Sequence, residues 1–347
     1  MMKKIISVLL ALTLTLLLGI PAFAVTMQDG TGKLCDQFVY GEGPEIDGTF
    51  IDYRYFSPVK ENDTAKYPLV IWLHGMGNGS KEGVQITASN VSYWSSEEFQ
   101  ARFTHGGAFI LAARSDETKG LCWNEGTIEP LKACIDDFIA KNKDNIDLSR
   151  IYVGGYSMGG KMTLKMAIAY PEMFAAAFPI CPAWSPDMGL LEKIADMPVW
   201  FTSGKTDPLV NYFFGVTVTF ENLSAVSNVP GDVRFSSLKK VCFEDGKRTT
   251  SAHHSWYAVN HDMFSSENSD YPYMSTVNGL GEEVTLTYPN GMISWLCSHT
   301  SDYDGAPSEG KGNLENASGV DSLVGQMDFM TFFRILFEAI TSLFGLI

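Results

Sequence analysis

The chain has 347 residues, of which 45% are hydrophobic and 12% aromatic, which supports a sizeable core and excludes an intrinsically disordered protein. Its formal net charge of −15 argues against nucleic acid and against anionic membrane surfaces as partners, because like charges repel. Neutral substrates suit this charge better.

The first 24 residues are typical of a secretory signal peptide. Lys3 and Lys4 form a positive end, the stretch from Ile5 to Ile20 is apolar, and Ala22-Phe23-Ala24 is a small-x-small cleavage site. We therefore expect residues 1–24 to direct export and to be removed, which makes the protein secreted or extracellular. The alternative is an N-terminal membrane anchor, for which the apolar stretch is somewhat short.

Short apolar runs alternate with helical patterns through the middle of the chain. Strands are expected at 39–57 (as a hairpin or meander), 68–73, 108–113, 151–153, 175–180, 197–202 and 233–243. Helices are expected at 94–102, 126–143, 158–170 and 290–298. This order predicts an α/β fold with a mostly parallel central sheet and helices on both faces. In such sheets, the chemistry lies beyond the carboxyl ends of the strands.

The C-terminal part of the chain changes character twice. Residues 25–300 form the expected catalytic domain, and residues 301–321 are rich in Gly, Ser, Asp and Asn, as in a flexible linker. Residues 322–347 are strongly apolar but contain charged residues, which argues against a membrane-spanning helix. An amphipathic helix that associates with a membrane surface, such as that of the cell, or with a partner protein fits better. The alternative is that it packs on its own domain.

The most informative stretch is Gly155-Tyr-Ser-Met-Gly159, which follows a β-branched and aromatic strand and precedes a run of helix formers. Strand, G-x-S-x-G and helix in this order predict a nucleophile elbow with Ser157 at its tip. Glycines on either side avoid collisions in so sharp a turn, and the helix N-terminus favours negative charge that develops at the serine. The alternative is a glycine-rich turn with an incidental serine.

A nucleophilic serine needs a base and a residue that orients the base. Asp207 follows a predicted strand and is the expected acid, although an Asp-Pro pair is also a common turn former. Three histidines, His253, His254 and His261, lie in the segment after the last predicted strand, where the base belongs.

Two backbone N–H groups are needed to stabilise the oxyanion. We expect one from Met158, the residue after the nucleophile, and one from Met76, in the glycine-rich turn after the 68–73 strand. The alternative for that turn is a merely flexible loop.

The six cysteines permit up to three disulfides in an exported protein. Cys122 and Cys134 are close in sequence and are the first candidates for a bridge, whereas Cys181 is expected to be a simple buried thiol. No His/Cys cluster has zinc-ligand spacing, so we expect neither a metal nor a cofactor.

Five sequence motifs together resemble the secreted α/β-hydrolases of the polyhydroxybutyrate depolymerase and feruloyl/acetylxylan esterase-like branch, which overlaps with prolyl-oligopeptidase-like predicted peptidases. These motifs are Leu73-His-Gly-Met-Gly77, Cys122-Trp-Asn124, Ser149-Arg-Ile-Tyr152 with the elbow up to Gly160, Tyr170-Pro-Glu-Met-Phe-Ala-Ala176 and Pro179-Ile-Cys-Pro182. The resemblance covers roughly residues 36–298.

The resemblance implies the α/β-hydrolase fold, Ser157 as the nucleophile and Asp207 as the acid. The base in these relatives often lies in a Gly-His-x-Ser-Trp pattern, which Ala252-His-His-Ser-Trp256 matches with Ala in place of Gly. This match implies His253 as the base, with His254 as the alternative. Trp123 and Trp256 are candidates for the substrate pocket, the alternative being that they are buried core residues.

These features predict a secreted serine hydrolase that cleaves carboxylic esters through a Ser-His-Asp triad and an acyl-enzyme. The expected substrate is an acyl or feruloyl ester on a plant polysaccharide, or a polyester. The alternatives are a prolyl-oligopeptidase-like serine peptidase and a non-catalytic surface or binding protein.

Overall fold

The computed structural model describes residues 31–103, 106–120, 123–242, 248–261, 273–286, 291–306, 314 and 319–321. The predicted signal peptide and the predicted helix at 322–347 lie outside these residues, and both stay predictions. In the described part of the chain, no helix combines the length and the apolar character that a bilayer crossing requires.

The described residues form a nine-stranded sheet with the order β1-β2-β4-β3-β5-β6-β8-β9-β12. Its strands are β1 (Val39–Glu42), β2 (Asp52–Phe56), β3 (Tyr67–Leu73), β4 (Phe109–Arg114), β5 (Ile146–Tyr156), β6 (Ala176–Ile180), β8 (Val199–Gly204), β9 (Val233–Leu238) and β12 (Met274–Asn278). The neighbouring strands from β4 to β9 pair in parallel, whereas β1, β2 and β12 pair antiparallel. The predicted mostly parallel sheet is therefore confirmed.

Four short strands lie outside this sheet. They are β7 (Trp184–Pro186) with β13 (Gly319–Asp321), and β10 (Val241–Cys242) with β11 (Thr249–Thr250), each pair antiparallel.

The helices lie mostly between consecutive strands. The α-helices are α1 (Thr31–Cys35), α2 (Val84–Thr87), α3 (Glu97–Gln100), α4 (Ile128–Lys141), α5 (Met158–Ala169), α6 (Met188–Leu191), α7 (Val218–Val226), α8 (Trp256–Asn260) and α9 (Met292–Cys297). A π-helix at Tyr212–Thr217 precedes α7, and 3-10 turns include Val91–Ser95 and Ala252–His254.

The core is centred on the parallel strands. Every residue of β3 is buried, and Leu69, Val70 and Ile71 have no exposed surface. Because consecutive strand residues point to opposite faces, both faces of β3 are covered. This explains why its sequence is a continuous apolar run rather than an alternating one.

The register brings the carboxyl ends of four strands to one edge of the sheet. Leu73 of β3 pairs with Gly155 of β5, and Tyr156 of β5 pairs with Ile180 of β6. Strand β8 continues this edge, since Ile180 pairs with Thr202. The loops after β3, β5, β6 and β8 therefore meet at one place, which is where the predicted site residues lie.

The structure departs from the predicted elements in four places. The predicted 94–102 helix is a 3-10 turn followed by α3, and the strand predicted at 233–243 ends at Leu238. The polar segment after residue 264 supplies β12, which extends the sheet beyond β9. The predicted linker at 301–321 is also wrong in part, because Gly319–Asp321 pairs with β7.

Candidate active site

Ser157 lies at the tip of a sharp turn between β5 and α5. Its backbone angles are φ 57° and ψ −116°, a left-handed φ that a residue with a side chain rarely adopts. The turn is held because Ser157 N–H donates to Ile180 O (2.9 Å) and Lys161 N–H donates to Ser157 O (3.0 Å). The predicted elbow geometry is thus present, and Ser157 is the N-cap residue of α5.

The two glycines of the elbow are required by close packing against β3. A Cβ on Gly155 or on Gly159 would overlap the carbonyl oxygen of Leu73, and one on Gly159 would lie 2.6 Å from His74 O. The strand, the elbow and the turn after β3 therefore pack backbone to backbone, as the steric interpretation of the motif requires.

Asp207 lies in the turn that follows β8, and its side chain is fully buried. Its Oδ1 accepts hydrogen bonds from Leu209 N (2.8 Å) and Val210 N (3.0 Å). Asp207 is therefore a turn former, as one interpretation of the sequence proposed. Its carboxylate also faces His253, so the turn bonds fix the carboxylate in the orientation that the histidine meets.

His253 lies in the 3-10 turn Ala252–His254, whose start is capped by Ser251. This turn packs on the end of β8, where a Cβ on Gly204 would lie 2.8 Å from the Ala252 Cβ. As a result, His253 Nδ1 lies 3.0 Å from Asp207 Oδ1 and 2.9 Å from Asp207 Oδ2. The side chain of His253 is only 8% exposed.

The electrostatics of His253 are set by opposing effects. Burial alone would lower the pKa of the imidazole, but the electrostatic and hydrogen-bonding interactions with Cys181 and with the Asp207 carboxylate outweigh it. The result is a pKa of His253 raised above the usual histidine value.

The other described histidines have different partners. His254 Nδ1 lies 2.8 Å from Thr250 Oγ1, and burial lowers the pKa of His254. His261 Nε2 lies 2.8 Å from Asn90 Nδ2. Of the three histidines that the sequence left open, the structure brings His253 to Asp207.

The turn after β3 carries the second predicted oxyanion donor. The N–H of Gly77 donates to both carboxylate oxygens of Glu117, each at 2.8 Å. Among the described residues, by contrast, the Met76 N–H has no hydrogen-bond partner. The Met158 N–H is at the first position of α5, where helix N–H groups have no intrahelical acceptor. Both predicted donors are thus available.

His74 links the turn after β3 to Ser115 through the hydrogen bonds of its buried imidazole. Ser115 N–H donates to His74 Nε2 (3.0 Å), so the proton is on Nδ1, which donates to Gly75 O at 2.8 Å. His74 is completely buried, and this burial lowers its pKa to about 4. The imidazole is therefore neutral at physiological pH. It connects the turn after β3 with the loop after β4 by hydrogen bonds.

The position of Trp123 does not support the predicted pocket role. Trp123 has no exposed surface, and its Nε1–H donates to His74 O at 2.8 Å. It supports the turn after β3 from the core, which agrees with the interpretation of Trp123 as a buried core residue. Trp256 is 6% exposed and lies beside Tyr156, with ring centroids 6.3 Å apart, so it is next to the elbow.

The cysteines give a mixed outcome. Cys134 is a buried free thiol, and Cys122 lies outside the described residues, so the predicted bridge between them is not confirmed. Cys181 is a buried free thiol, as predicted.

The sequence did not reveal the neighbours of Cys181. A ligand atom from each of Cys181, Asp207 and His253 lies within 4.8 Å of the other two. The only signal was that Cys181 follows a buried strand, as Ser157 does.

The fold and site define the class of protein: this chain has the α/β-hydrolase fold. The phospholipase/carboxylesterase family model of the α/β-hydrolases matches residues 124–244, which contain the elbow and Asp207. A solved structure described as a thermostable esterase aligns with a TM-score of 0.57 and 27% identity, covering 77% of this chain and 64% of that chain.

More particularly, the sequence is similar to three curated proteins. They are a poly(3-hydroxybutyrate) depolymerase of Ralstonia pickettii (27% identical, 48% of this chain, 35% of the relative), a poly(3-hydroxyalkanoate) depolymerase C of Paucimonas lemoignei (30%, 37% and 30%) and a bifunctional acetylxylan esterase/xylanase of Neocallimastix patriciarum (26%, 46% and 22%). The predicted resemblance is confirmed. The chain spans about a third or less of the length of these relatives.

Proposed function

We propose that this protein is an exported serine hydrolase that cleaves carboxylic esters with Ser157 as nucleophile, His253 as base and Asp207 as the acid. The observation that carries the proposal is the contact between His253 Nδ1 and the Asp207 carboxylate at the sheet edge where Ser157 occupies a strained elbow. The similarity to depolymerases and an acetylxylan esterase supports the choice of esters.

In the acylation step, Nε2 of His253 accepts the Ser157 hydroxyl proton while Oγ bonds to the ester carbonyl carbon. The carbonyl oxygen becomes an oxyanion, which receives hydrogen bonds from the N–H groups of Met158 and Met76. The tetrahedral intermediate collapses, the C–O bond to the alcohol breaks, and His253 returns the proton to the leaving alkoxide. Asp207 keeps the imidazole oriented and stabilises its charged form.

In the deacylation step, water takes the place of the alcohol. His253 accepts a proton from the water as its oxygen attacks the acyl carbon, and the same two N–H groups stabilise the second oxyanion. Collapse of this intermediate breaks the bond between the acyl carbon and Oγ, and His253 gives its proton to Oγ. The carboxylic acid is released and the Ser157 hydroxyl is restored. The protein groups that take part in these steps are side chains and backbone N–H groups of this chain.

The charge of the protein and its similarity to the three relatives support a choice of substrate class. A net charge of −15 repels polyanions, whereas polyesters and acylated xylans are neutral polymers. We therefore propose an acyl or feruloyl group on a plant polysaccharide, or a polyester, as the substrate.

The deciding experiment is ester hydrolysis by the wild type and by the Ser157→Ala variant. The panel is p-nitrophenyl acetate and butyrate, methyl ferulate, acetylated xylan, polyhydroxybutyrate and a prolyl-peptide anilide. Ester turnover that disappears in the variant supports the proposal. Turnover of the anilide alone would make the protein a peptidase, and no turnover, with no labelling of Ser157 by a fluorophosphonate, would make it non-catalytic.

We also propose that residues 1–24 direct export and that residues 322–347 associate with a membrane surface or a partner protein. Their patterns of charge and apolar residues are the support for this. Co-sedimentation of the full chain with vesicles or cell envelopes, compared with a chain ending at Asp321, tests the second part. Equal sedimentation of the two chains would contradict it.

A further inference from the structure

The thiol of Cys181 lies beside the His253–Asp207 pair. Cys181 is the first residue after β6, and its backbone is held by the bond from its N–H to Thr202 O (2.8 Å). Its φ is 35°, in the left-handed region, so the backbone accepts an unfavourable conformation at this position. The Sγ–H donates to the backbone oxygen of His253 at 3.5 Å, and the side chain is fully buried.

The side chains of Cys181, Asp207 and His253 each offer an atom that can bind a metal ion. A Cys181 sulfur, an Asp207 carboxylate oxygen and a His253 ring nitrogen all lie within 4.8 Å of one another. Zinc binds such atoms at about 2.0 to 2.3 Å in a tetrahedron, in which the ligand atoms are about 3.3 to 3.6 Å apart. Small side-chain movements would bring the cluster to these separations, and thiolate with imidazole favours soft or borderline cations.

We propose that Cys181, Asp207 and His253 form a site for a thiophilic divalent cation such as Zn²⁺ or Cd²⁺, and that its occupancy switches off the reaction proposed above. The nitrogen that faces Asp207 is Nδ1, so the cation binds there. The cation and the Ser157 proton therefore use the same imidazole, the cation at Nδ1 and the proton at Nε2. The inference rests on the proposed function only for its effect on catalysis, because cation binding itself is measured separately.

The proton balance explains the inhibition. The Cys181 thiol loses its proton to solvent and bonds to the cation as a thiolate. The Nδ1 proton of His253 moves to Nε2 when the imidazole is neutral and to solvent when it is protonated, so the cation-bound ring carries its one proton on Nε2 in either case. With Nε2 protonated, His253 has no lone pair for the Ser157 proton, and acylation stops.

The test compares wild type, Cys181→Ala and Cys134→Ala after removal of metals by dialysis against a chelator. Cys134 is the matched control, since it is also a buried free thiol but lies in α4, outside the cluster. Cd²⁺ is titrated while the ultraviolet thiolate-to-cadmium absorption is recorded, and Zn²⁺ is titrated into p-nitrophenyl acetate hydrolysis. Where Cys181→Ala does not fold, as judged by circular dichroism, Cys181→Ser replaces it.

We expect one Cd²⁺ per chain with a thiolate band in the wild type and in Cys134→Ala, and no band in the Cys181 variant. The concentration of Zn²⁺ for half inhibition should rise at least tenfold in the Cys181 variant, and a chelator should restore wild-type activity. Absence of the band in the wild type, or equal zinc sensitivity of the variants, overturns the inference. A band that depends on Cys181 in a protein without esterase activity supports the site and rejects the proposed function.

Discussion

His253 Nδ1 lies within 3.0 Å of both carboxylate oxygens of Asp207, although the two residues are 46 positions apart in the chain. Two loops, after β8 and before α8, are therefore fixed against each other by this contact. Because Nδ1 is engaged by Asp207, Nε2 is the nitrogen that remains for a proton from Ser157.

The neighbouring histidines allow a matched comparison. His253→Ala should lower kcat by about 10⁴-fold or more, because the serine loses its base. His254→Ala should change kcat less than about threefold, since His254 contacts Thr250 instead of Asp207. Steady-state kinetics on p-nitrophenyl butyrate measure both effects. The reverse pattern would assign the base to His254.

The pH profile should show the raised pKa of His253. Only the neutral imidazole accepts a proton, so kcat/KM should fall as the pH is lowered, with its midpoint above 6.5. In Asp207→Asn the midpoint should move to lower pH and kcat should fall by about 10⁴-fold. A wild-type midpoint at or below 6.5, or an unshifted midpoint in the variant, would count against the assigned pair.

His74 should make the fold sensitive to acid. Its pKa is about 4 in the folded protein and about 6.5 in the unfolded chain, so the unfolded chain binds more protons between these values. The stability that His74 contributes above pH 6.5 should be lost as the pH falls to about 4, a decrease of about 3 kcal/mol in the free energy of unfolding. Urea unfolding at several pH values measures this loss. The decrease should be smaller in His74→Gln, and an unchanged decrease would contradict the prediction.

Gly159 should tolerate no side chain. Gly159→Ala places a methyl group on the carbonyl oxygen of Leu73, so we expect a loss of about 3 kcal/mol in stability and a strong loss of activity. Gly231→Ala is the control, because a Cβ there meets nothing within 4 Å, and its effect should stay within about 0.5 kcal/mol. Thermal unfolding of the two variants side by side provides the measurement. Equal melting temperatures would mean that the elbow relaxes freely.

Glu117 should position the turn after β3, which carries the Met76 N–H, through its hydrogen bonds with the Gly77 N–H. Glu117→Ala removes both acceptor oxygens, so we expect kcat to fall about tenfold with little change in KM, because the displaced donor matters most in the transition state. Glu117→Gln keeps one acceptor oxygen and should stay within about threefold of the wild type. Similar losses in the two variants would exclude a positioning role.

The central sheet and the elbow could be predicted because their signals are local. A strand buried on both faces is a continuous apolar run, as in β3, and a serine in a sharp turn needs glycines at fixed distances from it. Both constraints act within a few residues, so they leave a readable pattern in the sequence.

The elements that were missed depend on distant partners. Strand β12 has the sequence Met-Ser-Thr-Val-Asn, which is only partly buried, and it is a strand because β9 offers a free edge. Strand β13 forms on β7 from a segment with linker composition. The placement of Cys181 beside His253 likewise needs the register of β6 against β8, which no local pattern contains.

The packing of Gly155 and Gly159 on Leu73 has a consequence for how the substrate range of this protein can change. The elbow and the end of β3 pack backbone to backbone, so a shift in one would displace the other and with it the attacking oxygen or its donors. Loops farther along the sheet edge can lengthen, shorten or exchange residues without retuning the chemistry. Directed evolution toward new esters should therefore randomise those loops and leave the elbow and the end of β3 untouched.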